Sequence, residues 1–196
     1  MATTIRSAQW QHAASAELAI AARLMAEAGA TFYALFGMSE AALLESLTRQ
    51  LLASESEIAH GLAVFADGQL RAAAACFPAA QMRGRQLASL MALLGEAGVA
   101  ADAQARLRSY RTGLVAVPPD SYYLARIAVA AEERGRGLGR ELIAAFERLA
   151  RDSGFALASL HVTRDNASAI AFYEALGYRG QVPDSGSMRA MTKELR

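Results

Sequence analysis

The hexapeptide RGRGLG, residues 134–139, alternates glycine with arginine and leucine at the head of a segment patterned as a helix, "LGRELIAAFERLAR" (138–151). Glycine is among the least favourable residues inside a helix, so three of them at its start need a reason. A helix N-terminus leaves its first N–H groups unpaired and carries about half a positive charge. Glycines remove Cβ atoms, and a bulky anion can then approach the backbone. Successive amides form a nest, and flanking arginines add charge. One glycine would satisfy a turn; three, spaced two apart, point to a phosphate group lying against the main chain. A dinucleotide fold would need G-x-G-x-x-G and an acid at the end of the next strand. Here the spacing is G-x-G-x-G, and the next strand ends at His161-Val162. A nucleoside triphosphate loop needs Gly-Lys-Ser/Thr, but the sole lysine is Lys193.

The elements around this loop read as strand–helix–strand. "SYYLARIAV" (121–129) is an expected strand, followed by the loop, a helix over 137–152, a strand over 156–162 and a helix over 166–176. A crossover of that length joins two parallel strands with a right-handed connection. Residues 187–195 alternate like a last strand. Ahead of this half, 4–10 reads as a strand and 15–29 as a helix opened by Ser15. A helix over 39–54 has Ser39 as its cap, and 59–77 is a hairpin turning at Asp67-Gly68. Residues 79–117 read as a helical insertion containing one helix near 84–98 and a shorter one over 102–114. The expectation is one domain over 1–196.

The bulk composition narrows the function classes. The chain has 196 residues, 54% of them apolar, enough for one domain with a real core. Net charge is +1, so no global field draws in nucleic acid or an anionic membrane. No apolar run reaches the ~20 residues of a membrane span. One cysteine, Cys76, excludes an intramolecular disulfide and fits a reducing compartment; with no leader-like N-terminus, a cytoplasmic location is expected. Three scattered histidines lack metal-ligand spacing, so no metal is expected.

"IAVAAEERGRGLGRELI" (127–143) resembles the signature segment of the GNAT superfamily of acetyl-CoA-dependent N-acyltransferases. Its loop reads R/Q-x-x-G-x-G/A, matched by Arg134, Gly137 and Gly139. "LHVTRDNASAIAFYEALGY" (160–178) is similar to the family's second acyl-CoA segment, with Asn166 and Tyr173 two helical turns apart on one face. The resemblance is specific over 121–178. It implies an α/β fold of three layers, with a twisted mixed sheet of about six or seven strands and helices on both faces. It implies acetyl-CoA as acyl donor, its pyrophosphate held by Gly135, Arg136, Gly137, Leu138, Gly139 and Arg140. Its pantetheine arm would pair with Ile127, Ala128 and Val129 where two parallel strands diverge, with the Val129 amide as oxyanion donor. Arg134 and Asn166 complete the set, and Tyr173 is implied as the acid that protonates the departing sulfur. Homodimers are frequent among such proteins, which leaves a homodimer open.

The acceptor side is less legible. The resemblance places an amine there, and a small-molecule amine is the expectation. A protein N-terminus or lysine is the alternative, and a non-catalytic acyl-CoA sensor is another. Relatives often carry a glutamate on the strand equivalent to 121–129; here that strand holds Tyr122, Tyr123 and Arg126 and no carboxylate. A water chain, Asp120, Glu55, Glu57 and His60 are the options for proton removal. Phe32, Tyr33 and Tyr123 are candidate acceptor-lining residues. Arg126 is expected to pair with an acid, and His161 and Cys76 are read as structural.

Overall fold

The computed structural model describes residues 3–97, 115–181 and 187–196. Seven strands form one sheet: β1 (Thr3–Ser7), β2 (Gly61–Ala66), β3 (Gln69–Pro78), β4 (Tyr122–Val129), β5 (Leu157–Thr163), β6 (Arg179–Gly180) and β7 (Met188–Glu194). Their spatial order is β1-β2-β3-β4-β5-β7-β6, and among the described residues only β4 and β5 run parallel. The helices are α1 (Ser15–Ala28), α2 (Ala30–Tyr33), α3 (Glu40–Leu52), α4 (Met82–Ala97), α5 (Leu138–Asp152) and α6 (Ala167–Ala175). The mixed three-layer α/β architecture expected from the sequence is what the chain adopts.

Two cores lie on opposite faces of the sheet. On one, Leu142, Ile143 and Phe146 of α5 and Tyr173 of α6 pack on Leu124 and Leu160. On the other, Ala21, Ala22 and Met25 of α1, Leu47 and Leu51 of α3 and Leu93 of α4 pack on Ala63, Ala73 and Ala128. Alanines at 72–75 let both helical layers approach β3 closely. No single described helix is long and apolar enough to cross a membrane.

The β2–β3 hairpin turns where expected: Asp67 (φ 50°) and Gly68 (φ 77°) both adopt positive φ, as a two-residue primed turn requires. Ser39 caps α3, its hydroxyl accepting from the Ala42 amide at 3.3 Å. Two expectations shift. The first strand stops at Ser7, because Trp10 turns inward to a buried site. Ser15 is the first helical residue of α1 rather than its cap, a place taken by Ala14. The aromatic stretch 31–36 is helical, as α2 and a 3-10 turn. Within 79–117, α4 is the first of the two expected helices; residues 102–114, where the shorter one is expected, lie outside the described residues.

The site depends on how β4 leaves β5. Pairing between them is confined to Tyr122↔Ala158, Tyr123↔Ser159 and Leu124↔Leu160. At that point the β3–β4 register slips: Cys76 faces Leu124 but Ala75 faces Arg126, leaving Ala125 as an extra residue. Such a bulge bends its strand and increases local twist. Beyond it, β4 stays with β3 and parts from β5.

Candidate active site

The ladder itself shows which backbone groups the divergence leaves open. The Ala130 amide bonds the Arg71 carbonyl at 2.8 Å, so Arg71 and Ala130 are a hydrogen-bonded pair. Alternation in an antiparallel ladder then turns Ala128 and Arg126 toward β3 and turns Ile127 and Val129 away from it. The other side of β3 agrees: Cys76 bonds back to His60 at 3.0 Å, which gives β2 the even-numbered residues of β3. Thus Ile127 and Val129 present main-chain groups to the gap left by β5, while Ala128 spends its own on Ala73. The Val129 carbonyl accepts Arg134 Nε at 3.0 Å at the end of that gap.

The glycine loop follows at once. Gly135 (φ 79°) and Gly137 (φ 89°) lie in the left-handed region, which only glycine occupies without strain. A Cβ at either would meet nothing within 4 Å, so their outward faces are open. Gly137 is the N-cap of α5 and brings no side-chain cap. Among the described residues, the amides of Gly135, Gly137, Leu138 and Gly139 meet no protein acceptor, four donors converging at one helix terminus. Gly139 differs: a Cβ there would sit 3.6 Å from the Phe172 ring and 3.8 Å from the Val129 side chain, ordinary contact.

The three loop arginines differ in their partners. Arg134 reaches Glu27 of α1 at 2.7 Å, besides the Val129 carbonyl. Arg136 pairs with the buried Glu133 at 3.1 Å, which also faces Arg71 at 3.8 Å. Arg140 is exposed and meets no acid among the described residues. Asn166 caps α6: its Oδ1 accepts from Ala169 N at 3.1 Å and from the Ser168 hydroxyl at 3.0 Å. Among the described residues its amide hydrogens meet no acceptor. Tyr173 is buried at 7% exposure, its ring edge-on to Phe172 and Tyr178. Burial pushes its phenol up to about 12. Capping puts Asn166 at the exposed start of α6 and Tyr173 near its buried end, so the two serve one helix at different depths.

A family model described as the acetyltransferase (GNAT) family matches residues 21–178. The chain belongs to this family. The GNAT fold recurs in solved structures at low identity. One, described as an acetyltransferase, shares 23% identity over 98% of this chain and 100% of its own, with a TM-score of 0.73. The PaiA N-acetyltransferase from Thermoplasma acidophilum, in complex with coenzyme A, shares 18% over 99% of each chain, with a TM-score of 0.57. The ribosomal-protein-S18-alanine N-acetyltransferase from Escherichia coli shares 19% over 99% of this chain and 94% of its own, at 0.56.

The opposite face of the GNAT sheet, under α1–α4, carries the remaining polar groups. Arg126, expected to pair with an acid, meets Glu57 from the α3–β2 connection: Nη2–Oε2 is 3.1 Å and Nη1–Oε1 3.3 Å. Both side chains are buried, at 11% and 5% exposure. The guanidinium lies 5.7 Å from the Phe32 ring centre and 5.9 Å from that of Tyr33. Phe32 and Tyr33 therefore wrap an ion pair as well as joining two helices. Tyr123, 3% exposed, bonds His161 Nδ1 at 3.0 Å, and His161 Nε2 reaches the Val115 carbonyl at 2.6 Å. Burial lowers the pKa of His161, partly offset by that carbonyl and by the charge of Glu57.

The candidates for proton removal separate clearly. Asp120 is exposed and precedes β4; five residues of strand, ~16 Å, divide it from the bulge. Glu55 is exposed, and His60 is exposed with Nε2 at 2.9 Å from the Ser54 carbonyl. Glu57 lies by β4, with both oxygens committed to Arg126. Cys76 is buried, and burial lifts its thiol to about 12, so it is no nucleophile at neutral pH. Among the described residues no three His, Cys, Asp or Glu cluster as metal ligands. The Glu57–Arg126 and Tyr123–His161 pairs, 69 and 38 residues apart in sequence, carry no local motif; only the topology joins them.

Proposed function

We propose that the protein is an N-acetyltransferase that moves an acetyl or similar short acyl group from acetyl-CoA to the primary amine of a small molecule, by direct attack of the amine on the thioester. One observation carries this: the outward backbone of Ile127 and Val129 leads straight into four unpaired amides at the start of α5. An extended amide-bearing arm ending in a pyrophosphate fits that sequence of donors and acceptors. When bound, acetyl-CoA supplies an activated acyl carbon with a thiolate leaving group.

The chain's own residues divide the work. Ile127 and Val129 orient the arm by strand addition. Gly135, Gly137, Leu138 and Gly139 hold the pyrophosphate through N–H groups, and Arg140 adds the uncommitted charge. Arg134 is a tie between loop, strand and α1 more than a phosphate contact. The Val129 amide, open to the gap, is the donor to the developing oxyanion. Tyr173 keeps its proton at neutral pH and donates toward sulfur. A small acceptor is favoured because the face opposite Tyr173 is covered by α1–α4 and carries buried aromatics such as Tyr33, Phe36 and Tyr123.

The sensor alternative draws on the missing β4 carboxylate. Thermal unfolding with acetyl-CoA, CoA, NAD and ATP tests the donor. At about 100 times Kd, a ligand stabilises by about 2.7 kcal/mol, which moves Tm by roughly 5–10 °C for a chain of this size. CoA compounds alone should do so. Thiol release with benzylamine, tyramine, spermidine, an amino acid, an aminoglycoside and a short peptide then separates enzyme from sensor, and small amine from peptide. A shift by NAD or ATP instead would overturn the donor assignment.

A further inference from the structure

We propose that Tyr123 is the group that takes the proton from the attacking amine, and that His161 positions Tyr123 and receives its proton in turn. The inference rests on the acetyltransferase reading above.

The placement comes first. β4 and β5 last pair at Leu124↔Leu160. One residue from each strand beside that point, Tyr123 and His161, meets its counterpart at 3.0 Å. Their pairing belongs to the face under α1–α4, with Phe77 tilted 5.6 Å from the Tyr123 ring and Ala190 of β7 opposite His161. Tyr173 belongs to the core on the other face. The sheet thus divides a proton donor from a proton acceptor at the point where an acyl group would lie between its parted strands.

The geometry also fixes the tautomer. A carbonyl oxygen only accepts, so at 2.6 Å from Val115 O the His161 Nε2 carries the hydrogen. Nδ1 then offers a lone pair, and the Tyr123 hydroxyl donates to it. This is the order a relay needs, with a base oriented by a third group. The charged groups around it are few among the described residues. Glu57 and Arg126 face it from the α3–β2 connection and β4, and Arg85 of α4 lies 5.3 Å over Phe77. Glu57 is held by Arg126 through both oxygens, which leaves the Tyr123–His161 pair as the acid–base couple of this face.

The step balances. The amine nitrogen forms a bond to the acyl carbon, and the carbon–sulfur bond breaks with its electron pair going to sulfur. Sulfur takes the Tyr173 proton. One nitrogen proton passes to Tyr123 Oη as Tyr123 passes its own to His161 Nδ1. His161, now an imidazolium still donating to Val115, releases that proton to solvent, and Tyr173 regains one from solvent. The nitrogen becomes far more acidic once bonded to the acyl carbon, so a weakly basic imidazole suffices.

The test uses the full chain and the six-amine panel, with thiol release followed from pH 5 to 10. Tyr123→Phe and His161→Asn are compared with wild type; asparagine keeps an acceptor for Tyr123 but does not titrate. Each should lower kcat about 10²-fold and remove the acidic limb of kcat/KM, while the thermal shift with acetyl-CoA persists. The double variant should be no worse than either single, since both cut one chain. Variants within threefold of wild type that keep the acidic limb overturn the relay and leave the acetyltransferase reading standing. Should either variant fail to fold, the wild type decides. With its three histidines labelled, the NMR titration of His161 must coincide with the acidic limb; a mismatch overturns the relay. A wild type that binds acetyl-CoA yet acylates none of the amines overturns the acetyltransferase reading, and the relay with it.

Discussion

At the scale of single residues, Tyr173 turns on the balance between a buried phenol and a thiolate. Burial puts the phenol at about 12, whereas an ordinary thiol sits near 8.5, a mismatch of ~3.5 units or ~5 kcal/mol if the thiolate were in water. The same low-dielectric surroundings raise a thiolate too, so transfer is feasible only with sulfur seated in the same dry environment. Removing the hydroxyl should therefore strike the chemical step. Tyr173→Phe is expected to lower kcat about 10²-fold, change KM for acetyl-CoA less than threefold and leave Tm intact. Equal loss of kcat and acetyl-CoA binding would refute the assignment. Tyr173 and the loop glycines stand out as candidates in the sequence because they sit in local motifs. Arg126 was legible only as a charge needing a partner, since Glu57 is 69 residues away. The contact of His161 with Tyr123, 38 residues off, was not legible, because parallel pairing brings the two together and a sequence pattern does not reveal it.

At the scale of elements, the loop and β4 make separate predictions. Gly137 has φ 89° with open space outside it. A Cβ would cost about 1–2 kcal/mol of backbone strain and would stand where the anion must approach. Gly137→Ala should lower Tm modestly and weaken CoA binding more than tenfold by calorimetry. Gly139→Ala meets only ordinary contacts, so it should bind CoA within about threefold of wild type. If both behave alike, the loop is not contacting the anion through its backbone. The arginines divide similarly. Arg140→Ala should weaken CoA binding most at low salt, as an exposed cation would. Arg136→Ala removes one partner of buried Glu133 and should lower Tm with little change in affinity. The helices, the hairpin and the parallel crossover could be read from periodicity and turn residues. The bulge at Ala125 could not: YYLARIAV alternates smoothly as text, and only the register against β3 shows that one residue is extra.

At the scale of the molecule, three buried phenols tie stability to alkaline pH. Tyr122, Tyr173 and Tyr178 all belong to the core between the sheet and α5–α6. Burial lifts Tyr122 and Tyr173 to about 12. It also raises Tyr178, whose ionisation is further opposed by the carboxylate of Glu147. In the unfolded chain these phenols ionise near 10. Below that pH both states keep their protons, and this contribution is fully present. Between 10 and 12 the unfolded chain releases protons that the folded chain retains, so stability falls as pH rises. For Tyr173 alone the loss over that window is about 2–3 kcal/mol. Urea midpoints should therefore be nearly flat from pH 8 to 9.5 and fall steeply from 10 to 12. Tyr173→Phe removes one of the three titrations and should flatten that fall by about its share. An unchanged slope in the variant would mean that Tyr173 is not buried from solvent, and a proton held to high pH could then no longer be invoked for it.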